Sequence, residues 1–261
     1  PLAIKARGGD ISIWGQRALP RRQMQAAAAQ ADQLLAVSGV LADDMEAIGL
    51  PRGKIAMHYT GLDRARFRPL GREPTLAAVA DRFGIGLATG EPLLTCVGAL
   101  IPRKGQALVL AALAQLPGVQ LALVGTGPDR AALARQAAAL GLANRVHFLG
   151  SLDHQAMPLL LSASSAMVLP SASEGLANAW VEALACGTPL VMTDVGGARE
   201  LVEAPEAGRL VAREAGAIAA GVRAVLAADY PPEQVAAQAQ RFSWDANAAA
   251  LAAIYTGILA G

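Results

Sequence analysis

From Pro92 onward the apolar residues fall in short continuous runs, each followed by a stretch where they recur at helical spacing. The runs Leu93–Gly98, Val119–Gly125, Val146–Leu149, Ala166–Leu169, Leu190–Met192 and Arg209–Val211 predict strands. The intervening Gln106–Leu116, Asp129–Leu140, His154–Ser162, Leu176–Cys186, a short piece ending at Val202, and Ala215–Ala227 predict helices. Near-continuous apolar strands need cover on both faces, so the pattern implies an α/β fold with a parallel sheet between helical layers. Ligands of such sheets bind at the carboxyl ends of the strands. Before Pro92, strands are expected at Pro1–Lys5, Leu34–Ser38 and Ile55–Tyr59. Pro20 should precede a helix over Arg21–Leu35, and Ser38 should cap a helix over Val40–Ile48 that Gly49 ends. Arg64–Glu91 mixes Arg, Pro and Gly around a helical piece at Thr75–Phe83 and reads as a linker. Pro231-Pro232 interrupts the pattern before two final helices, Gln234–Arg241 and Asp245–Leu259.

Composition narrows the function classes. The chain is 54% hydrophobic, enough for a sizeable core, and its net charge of +1 argues against broad nucleic-acid binding. Lysine is scarce: Lys5, Lys54 and Lys104 are the only ones, and the other basic residues are arginines. Cys96 and Cys186 lie in apolar context and make no disulfide framework, and no Cys/His set has zinc spacing. His58, His147 and His154 are scattered, and His147 reads as a strand residue. No apolar run reaches membrane-spanning length and no signal-peptide pattern is visible. The chain starts at Pro1, inside an expected strand, so a further N-terminal segment is expected to precede it.

The chemistry concentrates in Ser171–Gly197, SASEGLANAWVEALACGTPLVMTDVGG. Glu174 and Glu182 stand eight positions apart, across a glycine turn and the start of a helix. Eight residues at helical rise cover roughly 12 Å, of the order of a diphosphate flanked by a sugar and a ribose. A carboxylate at each end can accept from sugar hydroxyls, and a helix N-terminus between them offers N–H groups to phosphate. The same residues allow a plainer reading. Ser171-x-x-Glu174 is a capping-box pattern, and Glu182 could be a solvated helix residue.

This E-x7-E signature, followed by E-A-L-A-C-G-T-P-L-V and T-D-V-G-G, resembles the retaining glycosyltransferases of family 4. The resemblance implies two Rossmann-like domains of the GT-B type, here one doubly wound parallel sheet with a partial second domain. It divides the chain into the end of an acceptor-side domain (1–62), a linker (63–91), a nucleotide-sugar donor domain (92–230) and helices returning to the first domain (231–261). It implies a UDP-sugar or GDP-sugar donor, no further cofactor, and a glycan, lipid or small-molecule acceptor. The implied setting is cytoplasmic, with peripheral contact at the inner membrane face and no nucleic-acid partner.

By the same resemblance Glu174 contacts the transferred sugar near the reacting centre, and Glu182 holds the ribose hydroxyls. The amides of Gly175, Leu176, Ala177 and Asn178 would take the distal phosphate and sugar. Gly98 to Gly105 resembles the family's G-R-L-x-x-x-K-G segment, in which the arginine and lysine grip the pyrophosphate. Lys104 matches that lysine. Ala99 replaces the arginine, and Arg103 is the candidate substitute, although its position directs it elsewhere. Gly125 and Gly127 form a second glycine turn near the implied nucleotide, equally readable as a plain strand-to-helix turn. Gly150, Ser151 and Leu152 resemble the segment that brackets the nucleobase. Arg7, in K-A-R-G-G-D, stands where relatives often carry histidine, and Thr60 where they carry asparagine. Ser243-Trp244-Asp245 and Tyr255 resemble the returning segment. Two other readings stand beside this one: a nucleotide-sugar epimerase on the same architecture, and a donor-binding fragment that transfers nothing.

Overall fold

The computed structural model describes residues 1–88 and 90–260, and the side chains of all of these except 72–74. Thr89, inside the expected linker, and Gly261 lie outside the described residues. The described residues build two parallel sheets. The first holds β1 (Ala3–Lys5), β2 (Gln33–Ala36) and β3 (Ile55–Met57) in the order β1-β2-β3. Helices α1 (Ala18–Gln30) and α2 (Gly39–Ala47) connect them. The second sheet holds β4 (Leu93–Val97), β5 (Gln120–Val124), β6 (Val146–Gly150), β7 (Ala166–Leu169), β8 (Leu190–Thr193) and β9 (Gly208–Val211). Its order is β6-β5-β4-β7-β8-β9, all parallel. Counted from β4 this is 3-2-1-4-5-6, the Rossmann order, with its direction reversing between β4 and β7.

Helices α3 (Arg72–Phe83), α4 (Gln106–Leu113), α5 (Arg130–Ala139), α6 (Met157–Ala163), α7 (Asn178–Ala185), α8 (Ala198–Leu201) and α9 (Ala215–Ala228) accompany the second sheet. The central strands β4, β5, β7 and β8 are buried almost throughout, as their unbroken apolar runs require. Two last helices follow, α10 (Pro232–Ala237) and α11 (Trp244–Ala260).

Several boundaries differ from the sequence-based expectation for local reasons. Helix α1 starts at Ala18 and includes Pro20, which the expectation had placed ahead of the helix. A proline in a first turn removes only an N–H that has no helical partner there. The expected turn at Arg7–Asp10 continues into a π-helical turn at Asp10–Trp14. The Asp10 carboxylate holds its entry, accepting from the backbone N–H groups of Arg7 and Gly8. Helix α6 begins at Met157 rather than His154, because the Asp153 carboxylate first caps a turn through Gln155 and Ala156. Helix α7 begins at Asn178, two residues later than expected. Ala177 is still extended, and the buried Leu176 packs against Gly197.

The two sheets are tied by side chains that cross between them. Glu200 of α8 accepts from the Gly39 N–H at the start of α2 (2.7 Å) and from the Tyr59 hydroxyl (2.7 Å). Arg241 stacks over Tyr59 and Phe242 and pairs with Glu203. Helix α11 returns to the first sheet. Its Trp244 ring lies against Gly61, and Asn247 Nδ2 donates to the Tyr59 carbonyl (2.6 Å).

Candidate functional site

A cleft of about 530 Å³ opens at the carboxyl ends of β4 and β7, with the second sheet on one side and the first on the other. This is the reversal point of the sheet, where ligands of such folds bind. Gly98, Lys104, Glu174, Leu176, Ala177 and Asn178 line the first wall. Lys5, Arg7, His58, Thr60, Trp244 and Asn247 line the opposite one.

On the first wall, β4 ends at Val97 and the chain turns through Gly98 into a 3-10 turn, Pro102–Lys104. That turn aims Lys104 back along Gly98. A Cβ on Gly98 would meet the Lys104 stem at 3.5 Å. Lys104 Nζ donates to Glu174 Oε1 at 2.5 Å, and the two side chains are only 13% and 9% exposed. Arg103 Nη1 donates to the Ser173 carbonyl and lies 3.7 Å from Glu174 Oε1. Arg103 thus braces the loop that carries Glu174, and it does not line the cleft as Lys104 does.

The Glu174 loop is clamped by backbone contacts on both sides. A Cβ on Gly175 would stand 2.4 Å from the Arg7 carbonyl, and one on Gly196 would stand 2.2 Å from the Glu174 carbonyl. The Gly197 N–H donates to the Gly175 carbonyl (2.7 Å). The T-D-V-G-G stretch and the turn at Gly8 therefore grip the same loop from opposite sides. The loop leads into α7 with no side-chain cap, so the first amides of α7 remain available. Asn178, exposed, begins the helix at the cleft.

Glu182 lies four residues along α7 from Asn178, on the same face of the helix. It is half-buried and outside the residues that line this cleft. Burial raises its pKa above the ordinary value, and His154 acts in the opposite sense. The three histidines are scattered in sequence, and the fold brings one of them, His154, close enough to influence Glu182. His147 instead bonds Gln120 Oε1 within the sheet, at 2.6 Å.

Gly125 and Gly127 do not line the cleft; they let neighbouring loops touch. A Cβ at Gly125 would stand 2.1 Å from the Gly98 carbonyl, and one at Gly127 would stand 2.3 Å from that of Leu100. The Gly125 N–H donates to the Gly150 carbonyl at 2.7 Å, which links this turn to the end of β6. Beyond Gly150, Ser151 is exposed and Leu152 is half-buried against the core. These three residues also lie outside the lining of this cleft.

Lys5, His58 and Asn247 were missed by sequence reasoning. The available signal was the scarcity of lysine, since two of the three lysines line this cleft. The third, Lys54, caps the end of α1 through the carbonyls of Ala28, Ala29 and Ala31. Among the described residues no group of acidic, His and Cys side chains is placed to hold a metal ion. No helix there is long and apolar enough to cross a membrane.

Chemically, the first wall combines a cation, a helix N-terminus and a carboxylate around one opening. The cation and amides suit developing negative charge, and the carboxylate suits hydroxyl groups. Residues 79–242 match the family described as glycosyl transferases group 1. The chain belongs to this family. A D-inositol 3-phosphate glycosyltransferase of Mycolicibacterium paratuberculosis is 36% identical over 215 residues, covering 77% of this chain and 47% of that protein. The chain therefore spans about half the length of the curated relatives it matches. Among solved structures, Anabaena HepE in complex with UDP and glucose shares 25% identity at a TM-score of 0.83, over 98% of this chain and 71% of that one. Sucrose-phosphate synthase from Thermosynechococcus elongatus shares 27% identity at a TM-score of 0.81, over 95% of this chain and 64% of that one. The expected Rossmann-like, doubly wound fold of the GT-B type is the observed one.

Proposed function

We propose that this group 1 chain forms the donor-binding part, with the end of the acceptor-side part, of a retaining glycosyltransferase of family 4. The donor is a nucleoside diphosphate sugar, and UDP is the first nucleotide to test, since HepE is a UDP complex. The observation that carries the reading is the Lys104–Glu174 pair beside the open N-terminus of α7 at the sheet's reversal point. In transfer, the bond from the sugar's anomeric carbon to the diphosphate oxygen breaks, and that oxygen keeps the electron pair. Lys104 and the α7 amides stabilise the charge that develops there. An acceptor hydroxyl forms the new bond on the same face, and its proton passes to the departing diphosphate. Glu174 accepts from the transferred sugar's hydroxyls, and Glu182 from the ribose. No metal ion or further cofactor enters these steps.

The test is calorimetric titration of UDP and GDP into this chain, beside Lys104→Ala and Glu182→Ala. We expect one nucleotide to bind in the micromolar range, with a loss of about tenfold or more in each variant. A folded wild-type chain that binds neither nucleotide would defeat the reading.

A further inference from the structure

The wall opposite Lys104 carries cations of its own, and among the described residues no carboxylate pairs with them. Lys5 ends β1 and Arg7 follows two positions on. Ala6 between them is buried, and its N–H still pairs with the Leu35 carbonyl at 2.8 Å. The two cations therefore emerge together on the cleft side. Lys5 Nζ lies 2.9 Å from His58 Nδ1 and 3.5 Å from the Tyr59 carbonyl. An ammonium can only donate, so His58 Nδ1 accepts and His58 Nε2 donates to the Asn247 carbonyl (3.0 Å). These contacts use two of the three Lys5 protons and leave one for the cleft. The Arg7 guanidinium makes no hydrogen bond or ion pair among the described residues, and neither does Lys5 meet a carboxylate there. Burial first, and then the charge of Arg7, hold the Lys5 pKa below its ordinary value. Two uncompensated positive charges on one cleft wall are unfavourable until an anion joins them.

We infer that Lys5 and Arg7 form an anion subsite for a phosphate monoester carried by the acceptor. A phosphate dianion matches both charges and offers an acceptor oxygen to each. The donor's diphosphate has its own cation and helix N-terminus on the facing wall, while Thr60 and Asn247 stand beside Lys5 to meet acceptor hydroxyls. The inference rests on the glycosyl-transfer reading for the word acceptor, and on the geometry of this wall for the subsite.

Inorganic phosphate is the probe, titrated calorimetrically into the chain saturated with UDP. Arg7→Met is the main variant, because the exposed Arg7 side chain bonds nothing among the described residues whose loss could disturb folding. Lys5→Met is the second. We expect phosphate to bind the UDP-saturated wild type and each variant to weaken it about tenfold, with UDP affinity held within about twofold. No phosphate binding by the wild type, or an unchanged phosphate affinity in Arg7→Met, overturns the subsite. A tenfold loss of UDP affinity in Arg7→Met assigns the pair to the donor's diphosphate and overturns it as well. If the wild type binds no nucleotide, the glycosyl-transfer reading fails by itself. Phosphate titration of the nucleotide-free chain then decides the subsite by the same comparison of variants.

Discussion

Among the described residues two cations serve each wall, Lys104 with Arg103 behind it and Lys5 with Arg7, and the two pairs are held in opposite ways. Lys104 and Arg103 both engage the Glu174 loop, through a 2.5 Å ion pair and a bond to the Ser173 carbonyl. Lys5 and Arg7 meet neutral acceptors or none among the described residues. The difference lies in what each wall does while empty. A pre-paired cation fixes a loop in place and can be handed to a phosphate when one arrives. An unpaired pair carries its repulsion until a ligand relieves it. The first arrangement protects stability, and the second reserves binding energy for an anion.

The sharpest way to break this comparison is at the backbone joint that brings the walls together. Gly175→Ala would put a Cβ 2.4 Å from the Arg7 carbonyl, and neither backbone can give way as a flexible side chain would. We expect a loss of about 3 kcal/mol or more in denaturant unfolding, with nucleotide binding weakened alongside. A loss well below 1 kcal/mol would mean that the walls separate freely and that the cleft is not built by their contact.

The ion pair offers the next largest effect. Lys104→Met leaves Glu174 a nearly buried charge with only Arg103 near it, at a cost of about 3 kcal/mol. Adding Glu174→Gln should recover much of that loss, and the double-mutant cycle should show coupling of about 1–3 kcal/mol. Lys5→Met removes a cation with no carboxylate partner among the described residues and orphans only the neutral His58 Nδ1, so its cost should stay at about 1 kcal/mol, well below that at Lys104. Equal losses at the two lysines would erase the distinction between the walls.

The walls also differ in how far they could be read beforehand. The Glu174 wall lies largely in one stretch, Ser171–Gly197, because a loop gripped by neighbouring glycines needs residues at short, regular separations. Glu174, Gly175, Gly196 and Gly197 therefore left a pattern. The opposite wall joins Lys5 to His58 and His58 to Asn247, contacts that span 53 and 189 positions. No local spacing reports such a cluster. The strand runs were legible because full burial demands continuous apolar residues. The start of α2 was legible too, since Ser38 caps it as expected, but those of α6, α7 and the turn at Asp10 were not, because side-chain caps at Asp153 and Asp10 and the packing of Leu176 decide them. Gly125 and Gly127 were visible as a turn, but only the approach of the Gly98 and Leu100 carbonyls explains why both must be glycine.

A smaller effect is expected where the walls are latched away from the cleft. Glu200→Gln weakens the bonds to the Gly39 N–H and the Tyr59 hydroxyl, since an amide offers one oxygen and no charge. The expected loss is about 1–2 kcal/mol. Tyr59 gives an independent readout. Burial first, and then its bond to Glu200, push its pKa up to about 12. In Glu200→Gln the tyrosinate absorbance step assigned by Tyr59→Phe should move down in pH. An unmoved step would show that Glu200 does not hold Tyr59 in solution.

The smallest expected effect separates Glu182 from Glu174 on the Glu174 wall itself. Glu182 is half-buried without an ion pair among the described residues, and burial raises its pKa above the ordinary 4.5. The folded chain therefore binds its proton more tightly than the unfolded chain, and stability falls as pH rises through that region. The penalty is complete above the raised pKa and absent below the unfolded value. Glu182→Gln should therefore unfold at a higher temperature than wild type at pH 7, and the gain should vanish as the pH falls toward 4.5. Nucleotide binding should move the other way. The ionised carboxylate is the better acceptor for ribose hydroxyls, so wild-type affinity should decline with falling pH while that of Glu182→Gln stays low and flat. Parallel pH profiles in the two proteins would remove Glu182 from the binding site and leave Glu174 as the site's one working carboxylate.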